Sequence, residues 1–258
     1  MPDDLMEFHN CGNLKYLLTN GPDLINSHLR EGHEWESLTL TVSKLLTENV
    51  QEPVLIDIGA NLGAWSVPMG WHIKERGGII HSFEPQRPVF YQLCANLLSN
   101  NLINCYAHNM AVGDYTGTVD IPLLDIFKCE NLGALSLSEK IRKEQGWIKD
   151  EACKEQVRIV TLDDMQLPPA NLIKIDVEGL ELEVLKGGKN WIKQSGNPPI
   201  LLEVWGDYMK NMIKKKEKLI HFLQKDMEYE LFFIGELCIG QYTGNPLIDI
   251  NEKLCQYI

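Results

Sequence analysis

The stretch that most constrains the fold is Val54-Leu55-Ile56-Asp57-Ile58-Gly59-Ala60-Asn61-Leu62-Gly63. A short apolar run bounded by turn residues reads as a buried strand. Asp57 lies at its end, Gly59 and Gly63 punctuate a turn, and an apolar-periodic run from Leu62 to Ile73 predicts a helix. Strand, tight turn and helix make the nucleotide-binding half of a doubly wound α/β sheet. Gly59 permits a sharp turn that a side chain would block, and Gly63 lets the helix start approach the strand or a ligand.

The turn departs from the dinucleotide fingerprint. G-x-G-x-x-G would need glycine at Asn61, and its last glycine would fall at Ala64 rather than Gly63. Asp57 sits inside the motif, where its carboxylate would repel a pyrophosphate and attract a cationic ligand end. S-adenosylmethionine meets that condition. It carries an amino group and a sulfonium but no phosphate, and a helix N-terminus suits its carboxylate. The alternative is a strand–turn–helix that holds no ligand.

The remaining bounds are coarser. A chain of 258 residues, 44% of them apolar, allows one large α/β domain, or one domain with a small cap. A net charge of −12 disfavours nucleic acid and anionic membranes as partners. Seven cysteines without a CxxC pair point to reduced thiols and a cytoplasmic setting. The N-terminus carries no signal-peptide pattern, and no apolar run approaches the ~20 residues of a membrane span.

Along the chain, residues 1–33 read as short pieces and loops, and Glu34 to Asn49 as a helix lying over the cofactor end or the sheet edge. Ile79–Phe83 predicts a second strand ending at Glu84-Pro85, followed by a helix through Asn100. Cys105–Val112 predicts a third strand, and Thr116–Leu124 an edge strand. Residues 125–156 form an insertion, read either as a lid or as a solvated surface helix around Lys140–Glu144. Val157–Leu162 alternates as a strand, Asn171–Gly179 is a core strand with its terminus and Ile200–Trp205 another, and Leu180–Lys193 and Tyr208–Asp226 are helices. A last strand pair surrounds Gly235-Glu236. Alternating strands and helices give a mostly parallel sheet with helices on both faces.

Ligands of such sheets bind beyond the carboxyl ends of the strands. Asp57, Glu84 and Asp176 stand at strand ends, with Glu178 two residues further and Glu203 near the end of its own strand. Acids gathered on one sheet edge cost too much to desolvate unless ligands or cations pair them. Asp57 suits a cofactor's amino end, and Glu84 can accept both ribose hydroxyls. That leaves Asp176, Glu178 and Glu203 facing a substrate. The alternatives at this point are a methyltransferase, a nicotinamide-dependent oxidoreductase and a non-catalytic nucleotide-binding module.

Several segments together resemble the FkbM family of methyltransferases. They are Ile-Asp-Ile-Gly-Ala-Asn-Leu-Gly at 56–63, Ser-Phe-Glu-Pro at 82–85, Asn-Met-Ala-Val-Gly-Asp at 109–114, Thr-Leu-Asp-Asp at 161–164, Leu-Ile-Lys-Ile-Asp-Val-Glu-Gly at 172–179 and Leu-Leu-Glu-Val at 201–204. The resemblance implies a class I methyltransferase fold, Rossmann-like, with a mostly parallel seven-stranded sheet, and S-adenosylmethionine as donor. The match spans about 50 to 205, and the N-terminal 50 residues and the 125–156 insertion, the places where such enzymes choose substrates, match poorly. The expected organisation is an N-terminal helical cap over 1–50 and a methyltransferase domain over 51–258 with a substrate or lid insertion at 125–156. By position it places Asp57, Gly59, Ala60, Asn61 and Gly63 along the methionine part, Glu84 and Pro85 at the ribose, and Asn109, Met110 and Ala111 at the adenine. Asp176 borders the methyl group with Glu178.

Methyl transfer is an in-line displacement, so the enzyme mainly aligns and desolvates. A hydroxyl nucleophile must still lose a proton, and a nearby carboxylate can accept it. Asp176 or Glu178 is the expected base, with Lys174 and Glu203 orienting it. No metal is assigned, because no His stands at ligand spacing. A divalent ion on Asp176, Glu178 and Glu203 is the alternative. The family methylates mostly hydroxyls of sugars and natural products, and some relatives methylate side-chain amides of modified peptides. The expected partner is therefore a small-molecule or peptide acceptor.

Overall fold

The computed structural model describes residues 5–133, 135–144, 154–205 and 210–247. The chain opens with a hairpin, β1 (Met6–Cys11) and β2 (Leu14–Thr19), then α1 (Leu24–Arg30) and α2 (Ser37–Thr47). The first βα unit follows as β3 (Val54–Ile58) and α3 (Ser66–Ile73), the second as β4 (Ile79–Phe83) and α4 (Arg87–Ser99). β5 (Cys105–His108), β6 (Ala111–Val112), β7 (Gly117–Pro122), α5 (Glu139–Glu144) and β8 (Lys154–Val160) lead to β9 (Leu172–Ile175). α6 (Glu181–Gln194), β10 (Ile200–Glu203), α7 (Ile213–His221), β11 (Tyr229–Ile234) and β12 (Leu237–Tyr242) complete the chain.

Among the described residues, seven strands form the main sheet in the order β11-β12-β10-β9-β3-β4-β5. β10, β9, β3, β4 and β5 run parallel, and β12 runs antiparallel to both β10 and β11. Successive residues of the central strands point to opposite faces, as a pleat requires. Ile56, Ile173, Ile175 and Leu202 pack with Val184, Leu185 and Ile192 of α6. Leu55, Leu172 and Leu201 pack with Leu40 and Leu46 of α2 and Met69 and Ile73 of α3. Helices therefore cover both faces, which is why these strands are largely apolar rather than alternating. The strand order reverses at β3 and β9, where open α/β sheets leave a crevice for ligands.

Several expectations are corrected. The first 50 residues hold a β-hairpin as well as two helices. β2 completes its hydrogen bonds on a ladder of amide side chains from α4 rather than on a third strand. Asn96 Oδ1 accepts from the Leu17 N–H (2.6 Å), Asn100 Oδ1 from the Lys15 N–H (2.9 Å), and Gln92 Nε2 donates to the Leu17 carbonyl (2.9 Å). The spacing of four puts all three on one helix face. The first core helix starts at Ser66, not Leu62, because Asn61 and Gly63 hold positive φ. The expected strand 105–112 breaks after His108. β6 leaves the main sheet and joins β7 and β8 in a separate three-stranded sheet. The stretch from Tyr208 to Asp226 is helical over Ile213–His221 and finishes in a π-helical turn, Phe222–Asp226; residues 206–209 lie outside the described residues, as do 134 and 145–153 of the insertion. The described cysteines, Cys11, Cys94, Cys105, Cys129 and Cys238, are free thiols. Among the described residues, no helix is long and apolar enough to cross a membrane.

Candidate active site

β3 and β9 remain joined past the end of their ladder, where the Asp176 N–H donates to the Ile58 carbonyl at 2.9 Å. Gly59 takes φ +86° at this junction, and a Cβ there would stand 1.8 Å from the Asp176 carbonyl oxygen. Only glycine satisfies both the dihedral and the approach. The Gly59 and Ala60 N–H groups both donate to the Phe83 carbonyl, at 3.0 and 2.9 Å, so the turn folds over the end of β4. The Asn61 N–H then donates to Glu84 Oε2 (2.9 Å), and the Gln86 N–H to Glu84 Oε1 (2.8 Å). Burial pushes the Glu84 carboxyl up to about 7 against these two hydrogen bonds, which favour its charged form.

A cavity of about 340 Å³ opens above these strand ends. Gly59, Ala60, Asn61, Glu84, Pro85, Met110 and Ala111 line it, as do Lys174, Asp176, Glu178 and Glu203. Three of the expected cofactor residues lie behind its wall. Asp57 is fully buried beneath the turn and accepts a hydrogen bond from Ser66 Oγ at 2.6 Å. Burial pushes it up to about 6, opposed by Lys174 and Ser66. Gly63, at φ +93°, packs on Leu93 and Val67. Asn109 Nδ2 donates to the carbonyls of Glu84 (2.9 Å) and Pro85 (3.1 Å) and so fixes the strand end that presents Glu84.

The opposite side of the cavity is made of charge. Lys174 is 6% exposed, and its Nζ stands 3.0 Å from Asp176 Oδ2. Burial by itself would strip its proton, but Asp176, Glu36 and Asp57 together outweigh burial and hold the ammonium charged. Glu178 sits at φ +54°, a strained conformation for a residue with a side chain. Burial first, then the Asp176 and Glu203 carboxylates, push Glu178 up to about 9. Burial first, then the neighbouring Asp176 and Glu36 carboxylates, push Glu203 up to about 8. Oxygens of Asp176, Glu178 and Glu203 lie within 4.8 Å of one another, a spacing that can also enclose a divalent cation. Glu36, Lys174, Asp176 and Glu203 wall a second cavity of about 160 Å³ as well.

The family model of the Methyltransferase FkbM domain matches residues 57–229, more than half of the chain. The chain belongs to the FkbM methyltransferase family. It is an S-adenosylmethionine-dependent methyltransferase of the class I α/β fold. Similar solved structures include methyltransferase FkbM from Methylobacillus flagellatus KT, 18% identical over 74% of this chain with a TM-score of 0.48. The chain spans 44% of that protein's length. Precorrin-6y C5,15-methyltransferase from Geobacter metallireducens is 14% identical, over 80% of this chain and 88% of that chain, with a TM-score of 0.48. TYW2 of M. jannaschii, in complex with AdoMet, is 12% identical, over 93% of this chain and 85% of that chain, with a TM-score of 0.41. No curated protein matches the chain significantly.

The FkbM site fits its cofactor chemically. Against the carboxylates of Glu36, Glu84, Asp176, Glu178 and Glu203, Lys174 is the single cation among the described lining residues. A ligand that brings positive charge and hydroxyl donors relieves that imbalance, and one that brings a pyrophosphate worsens it. Sequence reasoning missed Trp35, Glu36, Gln86, Val89, Leu132, Leu135 and Leu137 of the wall. Trp35 and Glu36 precede α2, and Trp35 Nε1 donates to Glu36 Oε1 at 3.2 Å. The leucines come from the insertion, which is held down where the Leu132 N–H donates to Asp23 Oδ1 at 2.7 Å and the Leu24 N–H to the Glu130 carbonyl at 3.1 Å. Gln86 carried a signal, since it lies two residues past Glu84 on the same turn.

Proposed function

We propose that this methyltransferase transfers a methyl group to a hydroxyl of a sugar or natural product. The observation that carries the reading is the Lys174–Asp176 ion pair, 3.0 Å long, set among Glu178 and Glu203 on the open side of the cofactor cavity. The bound cofactor supplies an electrophilic methyl on a sulfonium. The protein has to hold that cation, align the acceptor and take up the acceptor's proton.

The Gly59–Asn61 turn holds the methionine part, Glu84 the ribose, and Met110 and Ala111 border the base. Asp176 accepts the proton, kept in place by Lys174. Glu203, whose carboxyl oxygen lies within 4.8 Å of that of Asp176, orients the same carboxylate. Glu178, pushed up by burial and by its acidic neighbours, faces the acceptor beside Asp176. The acceptor enters beside this cluster, where Trp35 and Glu36 before α2 and Leu132, Leu135 and Leu137 of the insertion complete the wall. The acidic wall and the net charge of −12 favour a neutral or basic acceptor, work against nucleic acid or an anionic membrane as partner, and suit an enzyme of the cytoplasm.

Incubation with S-adenosylmethionine and a panel of sugars, phenols, polyketide alcohols and amide-bearing peptides tests this reading. Mass spectrometry should find one added methyl on a hydroxyl acceptor, with the linkage placed on oxygen by NMR. A methyl found on a side-chain amide nitrogen would replace it. EDTA should leave turnover unchanged. Loss of turnover with rescue by Mg²⁺ would instead assign Asp176, Glu178 and Glu203 to a cation.

A further inference from the structure

One polar group in the cavity wall serves neither the fold nor the chemistry above. Gln86 stands between β4 and α4 and is 5% exposed. It occupies the N-cap position of α4, yet its side chain makes no capping hydrogen bond. The residues that cap well are short, and glutamine is not among them. Its backbone is fully engaged. The N–H donates to Glu84 Oε1 at 2.8 Å, and the carbonyl accepts from the Phe90 N–H at 2.8 Å. What Gln86 can offer the cavity is therefore its carboxamide, and Nε2 is buried with no acceptor among the described residues. An orphaned buried amide destabilises a fold, and native proteins rarely keep one without a use.

The neighbouring acid defines what would complete it. Glu84 can accept from ribose hydroxyls. A hydroxyl has one proton to give and two lone pairs. A hydroxyl that donates its hydrogen bond to Glu84 can still accept one, and Gln86 lines the same cavity as Glu84. We propose that Gln86 is a cofactor-binding residue whose Nε2 donates to a ribose hydroxyl of S-adenosylmethionine, the same hydroxyl that donates to Glu84. The proposal rests on the reading of Glu84 as the ribose acceptor.

The test compares wild type with Gln86→Leu, a variant of similar size without the amide. Each is titrated calorimetrically with S-adenosylhomocysteine and with its 2′-deoxy and 3′-deoxy analogues, and each is melted without ligand. Gln86→Leu should bind S-adenosylhomocysteine about tenfold more weakly, the usual worth of one hydrogen bond. Wild type should discriminate against one of the two deoxy analogues, and the variant should lose part of that discrimination. The ligand-free variant should melt at or above the wild-type temperature, because an unpaired amide has gone. A residue that merely shaped the start of α4 would lower stability and leave the analogue preference intact, and that result overturns the proposal. Undiminished affinity in Gln86→Leu overturns it too. Gln86→Glu, which keeps the shape and replaces the donor with an acceptor, should also weaken binding, and covers the case in which Gln86→Leu fails to fold. A wild-type protein that binds none of the three ligands overturns the cofactor reading itself, with Gln86's role in it.

Discussion

At the β3–β4 side of the cavity the wall is largely backbone. Gly59 and Asn61 hold positive φ, and the N–H groups of Asn61 and Gln86 grip Glu84 from both sides. At the β9–β10 side the wall is side-chain charge, with Lys174 and Glu203 on these strands and Asp176 and Glu178 just past the end of β9. The first side is geometric and rigid before any ligand arrives. The second carries more carboxylates than its lysine can neutralise, so its protonation depends on what binds. Holding a cofactor asks for the first kind of wall, and moving a proton asks for the second.

The largest expected effect lies on the charged side. Asp176→Asn should cost at least about a hundredfold in turnover, the usual worth of general base catalysis. It should leave S-adenosylhomocysteine binding largely intact, because the β3–β4 side is untouched. Calorimetry and single-turnover kinetics on the same preparation separate the two. Equal losses of binding and turnover would mean that the two sides do not divide the labour.

The backbone side gives the next effect. Gly59→Ala forces a Cβ against the Asp176 carbonyl oxygen at a left-handed dihedral. Dihedral strain and overpacking together should cost about 3 kcal/mol in urea denaturation. Stability within about 1 kcal/mol of wild type would show that β3 and β9 separate more easily at their ends than this junction implies.

This contrast also explains what could be read in the sequence. Glycine at 59 and acids at 57, 84 and 176 are local signals, because a turn that excludes side chains and a strand that ends in a carboxylate leave marks within a few residues. The parallel sheet and its order of helices followed from the same periodicity. Legibility ended where contacts are distant in sequence. Asp57 has the motif's position but lies under the wall, bonded to Ser66, and Asn109 spends its amide on the carbonyls of Glu84 and Pro85. Glu36, 138 positions earlier in the chain, faces the same cavity as Lys174, and Leu135 reaches the cavity from an insertion with no periodic pattern. The β1–β2 hairpin was hidden because its outer edge is completed by amide side chains of α4, a partnership that no strand pattern announces.

A third expectation uses pH to distinguish the sides. Glu84, Glu178 and Glu203 all have folded-state values above the ordinary carboxylate range, at about 7, 9 and 8. The folded state therefore binds more protons than the unfolded chain at neutral pH. Stability from these groups is full below the unfolded value of about 4.3 and is lost as pH rises through the folded values. The ligand-free melting temperature should fall by several degrees between pH 6 and pH 9, at about 2–4 °C per kcal/mol for a domain of this size. Glu84→Gln should flatten the part of the curve nearest pH 7, and Glu178→Gln the part above pH 8. A melting temperature that rises over this range would show that the cluster is paired by a cation or is far better solvated than its burial implies.

The smallest effect concerns the roof that spans both sides. Asp23 is 1% exposed and divides its two oxygens between two jobs. Oδ2 accepts from the Asn26 N–H at 2.9 Å and caps α1, and Oδ1 accepts from the Leu132 N–H at 2.7 Å and ties the insertion down. Asp23→Ala removes both, and should lower stability by about 1–2 kcal/mol, the cap alone being worth about 1. Cofactor affinity should fall only a few-fold, since Leu132, Gly133 and Leu135 cover the cavity without supplying its polar contacts. Asp23→Asn separates the jobs. Asparagine caps a helix as well as aspartate does but has one acceptor oxygen, so it can restore the cap or the tie and not both. If Asp23→Asn recovers stability while affinity stays low, the tie to Leu132 is what closes the cavity. If both recover together, the insertion is held by its leucines, and the roof belongs to the apolar packing of α1 rather than to either wall beneath it.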